Sequence, residues 1–415
     1  MAELYHHTTW PNGLTLLVEE MPEVRTAALT ILVPAGHVYD PPQRLGTANV
    51  LSEWIMRGAG PRDSRRLLLD LDALGVDHGE TAGSFHINFW AGTIADNLIP
   101  ALRILADIVR RPHLPEKEFP AVKELALGEL DSLEDEPREK VLVELARHHY
   151  PPPLGNDARG EREHIESLTV EEVRRFYEQT FRPQGTIISV AGRVKWSEIR
   201  GVVEELFADW TNAAEPTWQL GPEPEHRAHL TRPTQQTQIG VAYASVPFGQ
   251  EDHYAARAAV AVLSGGMSSR LFTEVREKRG LCYAVWASYH SFKDRASVFC
   301  YAGTTAERAQ ETLEVLLAEL RRLPEGVSTD EVQRVQAGLK SALIMHQESA
   351  SARAAGLASD WYYLGRVRSL DEIQHEIDTL TPQRLVEHLR QYPPRNFTIV
   401  TLGPKPLHIP EDLAN

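Results

Sequence analysis

Residues 85–93 alternate between apolar and polar side chains, and residues 296–304 form a second strand-like run of similar composition. Such patterns predict β-strands with one face in a core. The two segments lie 211 residues apart and carry the sequence Ala-Gly-Thr at matching places. Apolar residues at three- and four-residue spacing follow each segment, which predicts an amphipathic helix after each strand. This arrangement indicates an internal repeat.

A second pair of segments supports the repeat at almost the same offset. Residues 168–192 predict a helix that leads into a strand, and residues 380–403 predict the same order. Between the copies, residues 211–225 break the periodicity with proline, glycine and charge. We therefore predict an α+β fold of two homologous lobes, each a mostly antiparallel sheet covered by helices. The N-terminal lobe comprises residues 1–215 and the C-terminal lobe residues 216–415.

Local signals predict individual elements within this plan. The Asn12-Gly13 pair predicts a tight hairpin between two strands. Residues 26–33 form a β-rich apolar run, which predicts a further strand. Thr304 and Glu307 have the spacing of a capping box, so we expect a helix to start directly after the second repeated strand.

Composition narrows the class of protein. The 415 residues are too many for one ordinary core, which agrees with two domains. The 43 Lys and Arg residues against 58 Asp and Glu give a formal net charge of -15, which disfavours nucleic acid and acidic membranes as partners. No apolar stretch approaches the about 18 residues of a membrane span, and no targeting segment is visible, so we expect a cytoplasmic protein. Cys282 and Cys300 lie in apolar, strand-like segments, which predicts two buried, reduced thiols.

Several motifs, read in order, resemble one known family. They are the opening motifs Pro11–Leu14, Pro34–His37 and Gly46–Ala48, the run Leu263–Tyr283, and the strands that end at Gly192 and Gly403. Together they resemble the pitrilysin/insulinase/mitochondrial-processing-peptidase family of metallopeptidases with an inverted zinc motif. The resemblance spans nearly the whole chain. It implies two homologous lobes in one chain, with two such chains closing around a peptide.

The zinc motif of that family is altered here. The family motif is His-x-x-Glu-His on a helix, in which two histidines bind zinc with a later glutamate and the inner glutamate acts as general base. By this resemblance, Asn49 stands at the first histidine, Ser52 at the base and Glu53 at the second histidine, while Glu129 keeps the distal glutamate and Val122 replaces a supporting acid. We therefore expect no metal to be bound by this chain. A weak site for a hard cation at Glu53 and Glu129, or an ordinary solvated helix face, are the alternatives.

A second part of the family machinery is present. The resemblance assigns Arg276 and Tyr283 to an arginine and a tyrosine that contact substrate at a zinc site. Independently, the pattern predicts a helix with Leu271, Phe272 and Val275 on its buried face, ended by Gly280, with Arg276 in its last turn and Tyr283 on the returning strand. A guanidinium and a phenol so placed can donate hydrogen bonds to a peptide carbonyl or an oxyanion. The alternatives are a helix-dipole interaction for the arginine and a core position for the tyrosine.

Other groups with metal-binding residue types are weaker candidates. His226 and His229 fall in the segment interpreted as a linker, whereas Asp77–Glu80 and His148-His149 are interpreted as surface loops. We expect none of them to hold a metal.

The combination suggests the non-zinc-binding subunit of a bacterial heterodimeric zinc metallopeptidase. Such a chain is inactive alone, closes the chamber of a homologous zinc-bearing subunit, and supplies Arg276 and Tyr283 to the site of that partner. Its substrate is then a peptide or an unfolded polypeptide. Two alternatives remain open: a catalytically inert structural or core-type subunit, and a self-sufficient zinc endopeptidase with non-standard ligands.

Overall fold

The computed structural model describes residues 5–212 and 214–409. The strands are β1 (Tyr5–Thr9), β2 (Thr15–Glu20), β3 (Thr26–Val33), β4 (Gly58–Ala59), β5 (Arg62–Asp63), β6 (Asp77–Ala82), β7 (Ile87–Ile94), β8 (Ile187–Gly192), β9 (Arg227–Thr231), β10 (Gln236–Ser245), β11 (Cys282–Ser291), β12 (Ala296–Thr305) and β13 (Thr398–Gly403). The helices are α1 (Thr47–Trp54), α2 (Ser64–Ala73), α3 (Leu98–Arg110), α4 (Phe119–Asp135), α5 (Pro137–His149), α6 (Arg162–Ser167), α7 (Val170–Thr180), α8 (Trp196–Phe207), α9 (His253–Ser264), α10 (Ala309–Arg322), α11 (Thr329–Gln347), α12 (Ala350–Leu364), α13 (Leu370–Asp378) and α14 (Pro382–Gln391). A π-helical segment spans Phe272–Glu277.

The two large sheets share one strand topology. The first has the order β1-β2-β8-β3-β7-β6 and the second the order β11-β12-β10-β13-β9. Read from its other end, the second sheet repeats the first without the additional strand β1. In each sheet one pair is parallel, β2 with β8 and β9 with β13, and the other neighbours are antiparallel. The predicted repeat and the α+β fold class are confirmed.

The compact units are not continuous in sequence. The first unit comprises residues 1–132, 156–220 and 345–367, and the second comprises residues 133–155, 221–344 and 368–415. Helix α5 therefore belongs to the unit that contains the second sheet, and α12 to the unit that contains the first sheet. These helices hold corresponding places in the repeat, since they begin 213 residues apart. Each unit therefore includes one helix from the other half of the sequence. A single division of the chain near residue 215 does not describe this exchange.

Burial on both faces of the first sheet explains the apolar run of β3. Leu29 and Ile31 belong to the large core beneath helices such as α1 and α3. Ala28 faces the other way and packs with Ala354 and Leu357 of α12. A strand covered on both faces reads as a continuous apolar run rather than as an alternating one.

Two local predictions had opposite outcomes. The Asn12-Gly13 hairpin is confirmed: β1 and β2 are antiparallel, and Gly13 has a φ of +84°. The capping box at Thr304 is wrong, because β12 continues to Thr305 and the Thr304 hydroxyl donates a 2.6 Å hydrogen bond to the carbonyl of Leu281. Thr304 therefore belongs to a paired strand, although the local spacing predicted that it starts a helix.

The remaining global expectations concern thiols and membranes. Cys282 and Cys300 are both buried and free, as predicted. No helix in the described part of the chain is both long and apolar enough to cross a membrane.

Candidate functional site

Helix α1 carries the altered zinc motif. The Asp40 carboxylate accepts the backbone N–H groups of Gly46 at 2.7 Å and Ala48 at 2.8 Å, so a buried acid satisfies the first turn of the helix. Val50 and Leu51 are fully buried in the core of the first unit. Sequence and packing therefore fix the rotation of α1 about its axis.

Asn49 and Glu129 are in direct contact. The Asn49 side-chain amide donates a 2.9 Å hydrogen bond to the Glu129 carboxylate on α4. The Ser52 hydroxyl donates a 2.8 Å hydrogen bond back to the Asn49 carbonyl, a common arrangement for serine inside a helix. Three of the four motif-derived positions are thus joined by hydrogen bonds within the chain itself.

Glu53 forms an ion pair with an arginine that lies just after the end of helix α1. Arg57 lies one turn further on, and its guanidinium contacts the Glu53 carboxylate at 2.9 Å. Glu80, on the neighbouring strand β6, has a pKa raised to about 7, first by burial and then by the negative charge of Glu53, while Arg57 acts in the opposite direction. The positive charge beside Glu53 and Glu80 is therefore the guanidinium of Arg57. Sequence reasoning missed Arg57 and did not connect Glu80 with Glu53; the four-residue spacing of Glu53 and Arg57 was the available signal for the ion pair.

These residues do not fit zinc. Zinc in proteins prefers imidazole, thiolate and carboxylate ligands, whereas Asn49 presents an amide N–H toward Glu129, and Glu53 is already ion-paired. Val122, at the supporting acid position, is fully buried in the apolar core. Within the described ranges, no group of three or more His, Cys, Asp and Glu side chains could hold a metal ion.

Arg276 and Tyr283 are brought together by the local chain path. Val275 is fully buried and anchors the π-helical segment to the core of the second unit. The segment ends at Glu277, and the turn that follows it closes at Gly280, whose φ of +59° is left-handed and whose N–H donates to the Arg276 carbonyl at 3.0 Å. The N–H of Leu281 then donates to the Val275 carbonyl at 3.0 Å, and the chain enters β11. The predicted helix end and returning strand are as expected from the sequence.

Tyr283 lies at a β-bulge on an edge strand. Cys282 pairs with Thr304 and Ala284 with Gly303, so Tyr283 is the extra residue of β11. Its side chain is 85% exposed, which contradicts the alternative of a core tyrosine. Bulges re-aim side chains and are frequent next to active sites, as are short π-helical segments.

The Arg276 guanidinium contacts two aromatic rings. Its central carbon lies 4.8 Å from the ring centroid of Phe272 and 5.1 Å from that of Tyr283. The nearby Glu274 carboxylate is occupied by Lys278 at 2.6 Å and Arg279 at 2.8 Å.

No carboxylate among the described residues forms an ion pair with Arg276. The pair therefore presents an uncompensated cation and a phenol at the surface of the second unit.

The prediction for Phe272 was partly wrong. Leu271 and Val275 are in the apolar core as predicted, but Phe272 is half-buried, and the core cluster of the described residues does not include it. Its ring faces Arg276 instead.

The weaker candidates other than His226 lie in regular elements. Asp77–Glu80 form most of the edge strand β6 rather than a loop, and His229 lies on β9, where its ring bonds to the Thr401 hydroxyl at 2.8 Å. His149 ends α5 and bonds to the Thr398 hydroxyl at 2.8 Å. Burial, and then the proximity of His226, lowers the pKa of His149 to about 4. The interpretation as loops was wrong for Asp77–Glu80 and for His148-His149, and His229 lies on a strand rather than in a linker, whereas His226 is exposed and precedes β9.

Comparison with known families agrees with this arrangement. Residues 15–159 match the family model for insulinase (peptidase family M16), and residues 167–339 match the model for the peptidase M16 inactive domain. The chain belongs to peptidase family M16. The resemblance drawn from the motifs is thereby confirmed, and this M16 protein includes a domain of the inactive type.

Relatives of this M16 chain extend over almost its whole length. An uncharacterized zinc protease of Bacillus subtilis, YmxG, is 27% identical over 402 residues, which cover 95% of this chain and 97% of that protein. An uncharacterized zinc protease of Rickettsia bellii is 24% identical over 409 residues, which cover 98% of this chain and 99% of that protein.

Two solved structures share the fold. The peptidase M16 inactive domain from Pseudomonas fluorescens has a TM-score of 0.89 at 20% identity and covers 98% of this chain and 100% of its own. A protease from Helicobacter pylori also has a TM-score of 0.89 at 20% identity, covering 97% of this chain and 100% of its own. The two-lobed M16 fold is therefore shown.

Proposed function

We propose that this M16 chain is the non-metal subunit of a heterodimeric zinc metallopeptidase. It closes the peptide chamber of a homologous subunit that holds the zinc, and it supplies Arg276 and Tyr283 to the substrate there. Peptides or unfolded polypeptides are the proposed substrates, and a cytoplasmic location remains a prediction from the sequence.

One observation carries this proposal: the polar groups at the altered motif have partners within the chain, whereas the Arg276 and Tyr283 pair is open to a ligand. At the altered motif, the polar groups of Asn49, Glu129 and Glu53 are satisfied by partners within the chain. At the other site, Arg276 has no counter-ion among the described residues, and Tyr283 is 85% exposed. An uncompensated guanidinium beside an exposed phenol is suited to a ligand that accepts hydrogen bonds.

The chemistry of the pair follows from its donors. A guanidinium offers several N–H donors in a rigid plane, and it remains charged at all physiological pH values. A phenol adds an O–H donor. Directed at a peptide carbonyl, these groups bind the substrate; directed at the oxygen that gains charge during amide attack, they stabilise the transition state. Neither role of the pair needs a metal in this chain.

The experiment compares the purified chain alone with its mixture with a homologue that has an intact zinc motif. We expect no hydrolysis of a fluorogenic peptide by the chain alone and clear hydrolysis by the mixture. Arg276→Ala should lower kcat/KM of the mixture by about 100-fold, because a charged donor is lost. Arg103→Ala is the matched control: Arg103 is an exposed arginine on α3 that pairs with the exposed Glu205 at 2.7 Å.

The alternatives give different results in the same experiment. If the mixture hydrolyses no peptide with any tested homologue, the result would favour an inert structural subunit. Hydrolysis by the chain alone, with stoichiometric metal, would favour a self-sufficient peptidase. Full activity of the mixture with Arg276→Ala would remove the role assigned to that residue.

A further inference from the structure

Phe272 is the closest aromatic neighbour of the Arg276 guanidinium. The centre of its ring lies 4.8 Å from the guanidinium carbon, which is within the range of a cation–π interaction. Tyr283 provides a second ring at 5.1 Å. Neither aromatic ring contacts the other within the described part of the chain, so Arg276 is the group that joins them.

The packing of Phe272 distinguishes it from its neighbours on the same turn. Leu271 and Val275 are fully buried in the apolar core, whereas the core of the described residues leaves Phe272 out, and its side chain is half-buried. The Phe272 ring thus lies beside the core cluster of the described residues and is not one of its members. Its contact with Arg276 is the interaction that the structure shows for its face.

An aromatic contact can restrict a long cationic side chain that no carboxylate holds. An arginine side chain loses rotamer entropy when it is held in one conformation. A carboxylate partner would fix Arg276 but would also neutralise it, and Glu274 is held by Lys278 and Arg279. An aromatic face restricts the guanidinium while leaving its in-plane N–H donors and its charge available.

We propose that Phe272 is a positioning residue that holds the Arg276 guanidinium ready for substrate. The proposal rests on the proposed function of Arg276. It also assigns the π-helical segment a role, since this segment places Phe272 and Arg276 on one face four residues apart.

The first test uses the reconstituted mixture with the zinc-bearing homologue. Phe272→Leu keeps an apolar side chain but removes the ring, and we expect kcat/KM to fall by about 3- to 10-fold. Phe272→Tyr keeps the ring and should stay within about 2-fold of the wild type. In the Arg276→Ala background, Phe272→Leu should cause no further loss, because its effect acts through the arginine.

Phe248→Leu is the matched control. The Phe248 ring lies 4.4 Å from the Arg368 guanidinium in the same unit, so the same kind of contact is removed away from Arg276. We expect this variant to retain the wild-type kcat/KM. An equal loss from Phe248→Leu, or a full loss from Phe272→Leu in the Arg276→Ala background, would show a general structural effect and overturn the proposal.

A second measurement needs neither the partner nor activity. In the isolated chain with labelled arginine, the δ-methylene protons of Arg276 should be shifted upfield by ring current. They should move downfield in Phe272→Leu but not in Phe248→Leu. An unchanged resonance in Phe272→Leu would overturn the positioning role, whereas failure of Arg276→Ala to affect activity would overturn only the proposed function.

Discussion

The side-chain amide of Asn49 donates a 2.9 Å hydrogen bond to the Glu129 carboxylate across helices α1 and α4. Two positions that the family motif assigns to metal ligands are therefore still within reach of each other. Helices α1 and α4 thus hold these two positions side by side.

Restoring the donor set should restore zinc binding. We expect the triple variant Asn49→His, Ser52→Glu, Glu53→His to bind about one zinc ion per chain, since two imidazoles four residues apart on α1 then face Glu129. Metal analysis after dialysis against zinc measures this directly. Adding Glu129→Gln should reduce the binding, and a triple variant without zinc would show that α1 and α4 no longer have ligand geometry.

Tyr283 should contribute to activity through its hydroxyl. Tyr283→Phe keeps the ring beside Arg276 and removes one donor, so we expect kcat/KM of the reconstituted mixture to fall by about 10-fold or more. Tyr392→Phe, which alters a half-buried tyrosine after α14, is the control and should have no effect. Equal activity of both variants would remove the phenol from the proposed chemistry.

Stability should depend on pH through Glu80. Burial raises its pKa from 4.5 to about 7, so the folded protein favours the protonated carboxyl group. The contribution of this preference to the free energy of unfolding is present below about pH 4.5 and is lost as the pH rises to about 7. Because Glu80 is only partly buried, we expect Glu80→Gln to be more stable than the wild type by on the order of 1–2 kcal/mol near pH 8 and similar near pH 4.5.

Parallel urea unfolding of the wild type and the variant measures this difference. Glu23→Gln, an exposed acid of the same unit, is the control and should show no comparable pH dependence. A constant difference between Glu80→Gln and the wild type across this pH range would contradict the assignment.

The exchanged helix α12 should depend on one ion pair. Arg353 contacts Glu19 of β2 at 2.6–3.0 Å, and the two side chains are only 11% and 13% exposed. Arg353→Ala leaves a largely buried carboxylate without this partner, so we expect a loss of about 3 kcal/mol in the free energy of unfolding. Adding Glu19→Leu should recover part of it.

The exposed pair Arg103–Glu205 provides the comparison for this prediction. Its side chains are 42% and 60% exposed, so Arg103→Ala should cost less than about 1 kcal/mol. Similar losses for both arginines in denaturant titrations would contradict the anchoring role of Arg353.

Local patterns predicted those helices, strands and turns that depend on residues close together in the sequence. Residues 26–33 were expected as a strand and form β3 with these bounds. The Asn12-Gly13 turn and the helix-to-strand path from Arg276 to Tyr283 also followed from short-range signals, because φ preferences and spacing act over a few residues.

Polar groups were harder to place from sequence. His149 and His229 were interpreted as lying outside regular elements, yet their hydroxyl partners, Thr398 and Thr401, lie far away in the chain on β13. Glu80 joined Glu53 and Arg57 through the pairing of β6 with its sheet. Such partners are separated in sequence and meet only after the sheets form.

By itself, the sequence determined the repeat, the fold class, the lack of histidine at positions 49 and 53, and the nearness of Arg276 to Tyr283. Each of these depends on residue identity or on contacts within a few residues. Tertiary structure alone decided that α5 and α12 exchange units, that Arg57 provides the positive charge beside Glu53, and that Phe272 faces Arg276 instead of the core. An amphipathic helix or an aromatic ring can be buried against more than one surface, and only long-range packing selects which surface it meets.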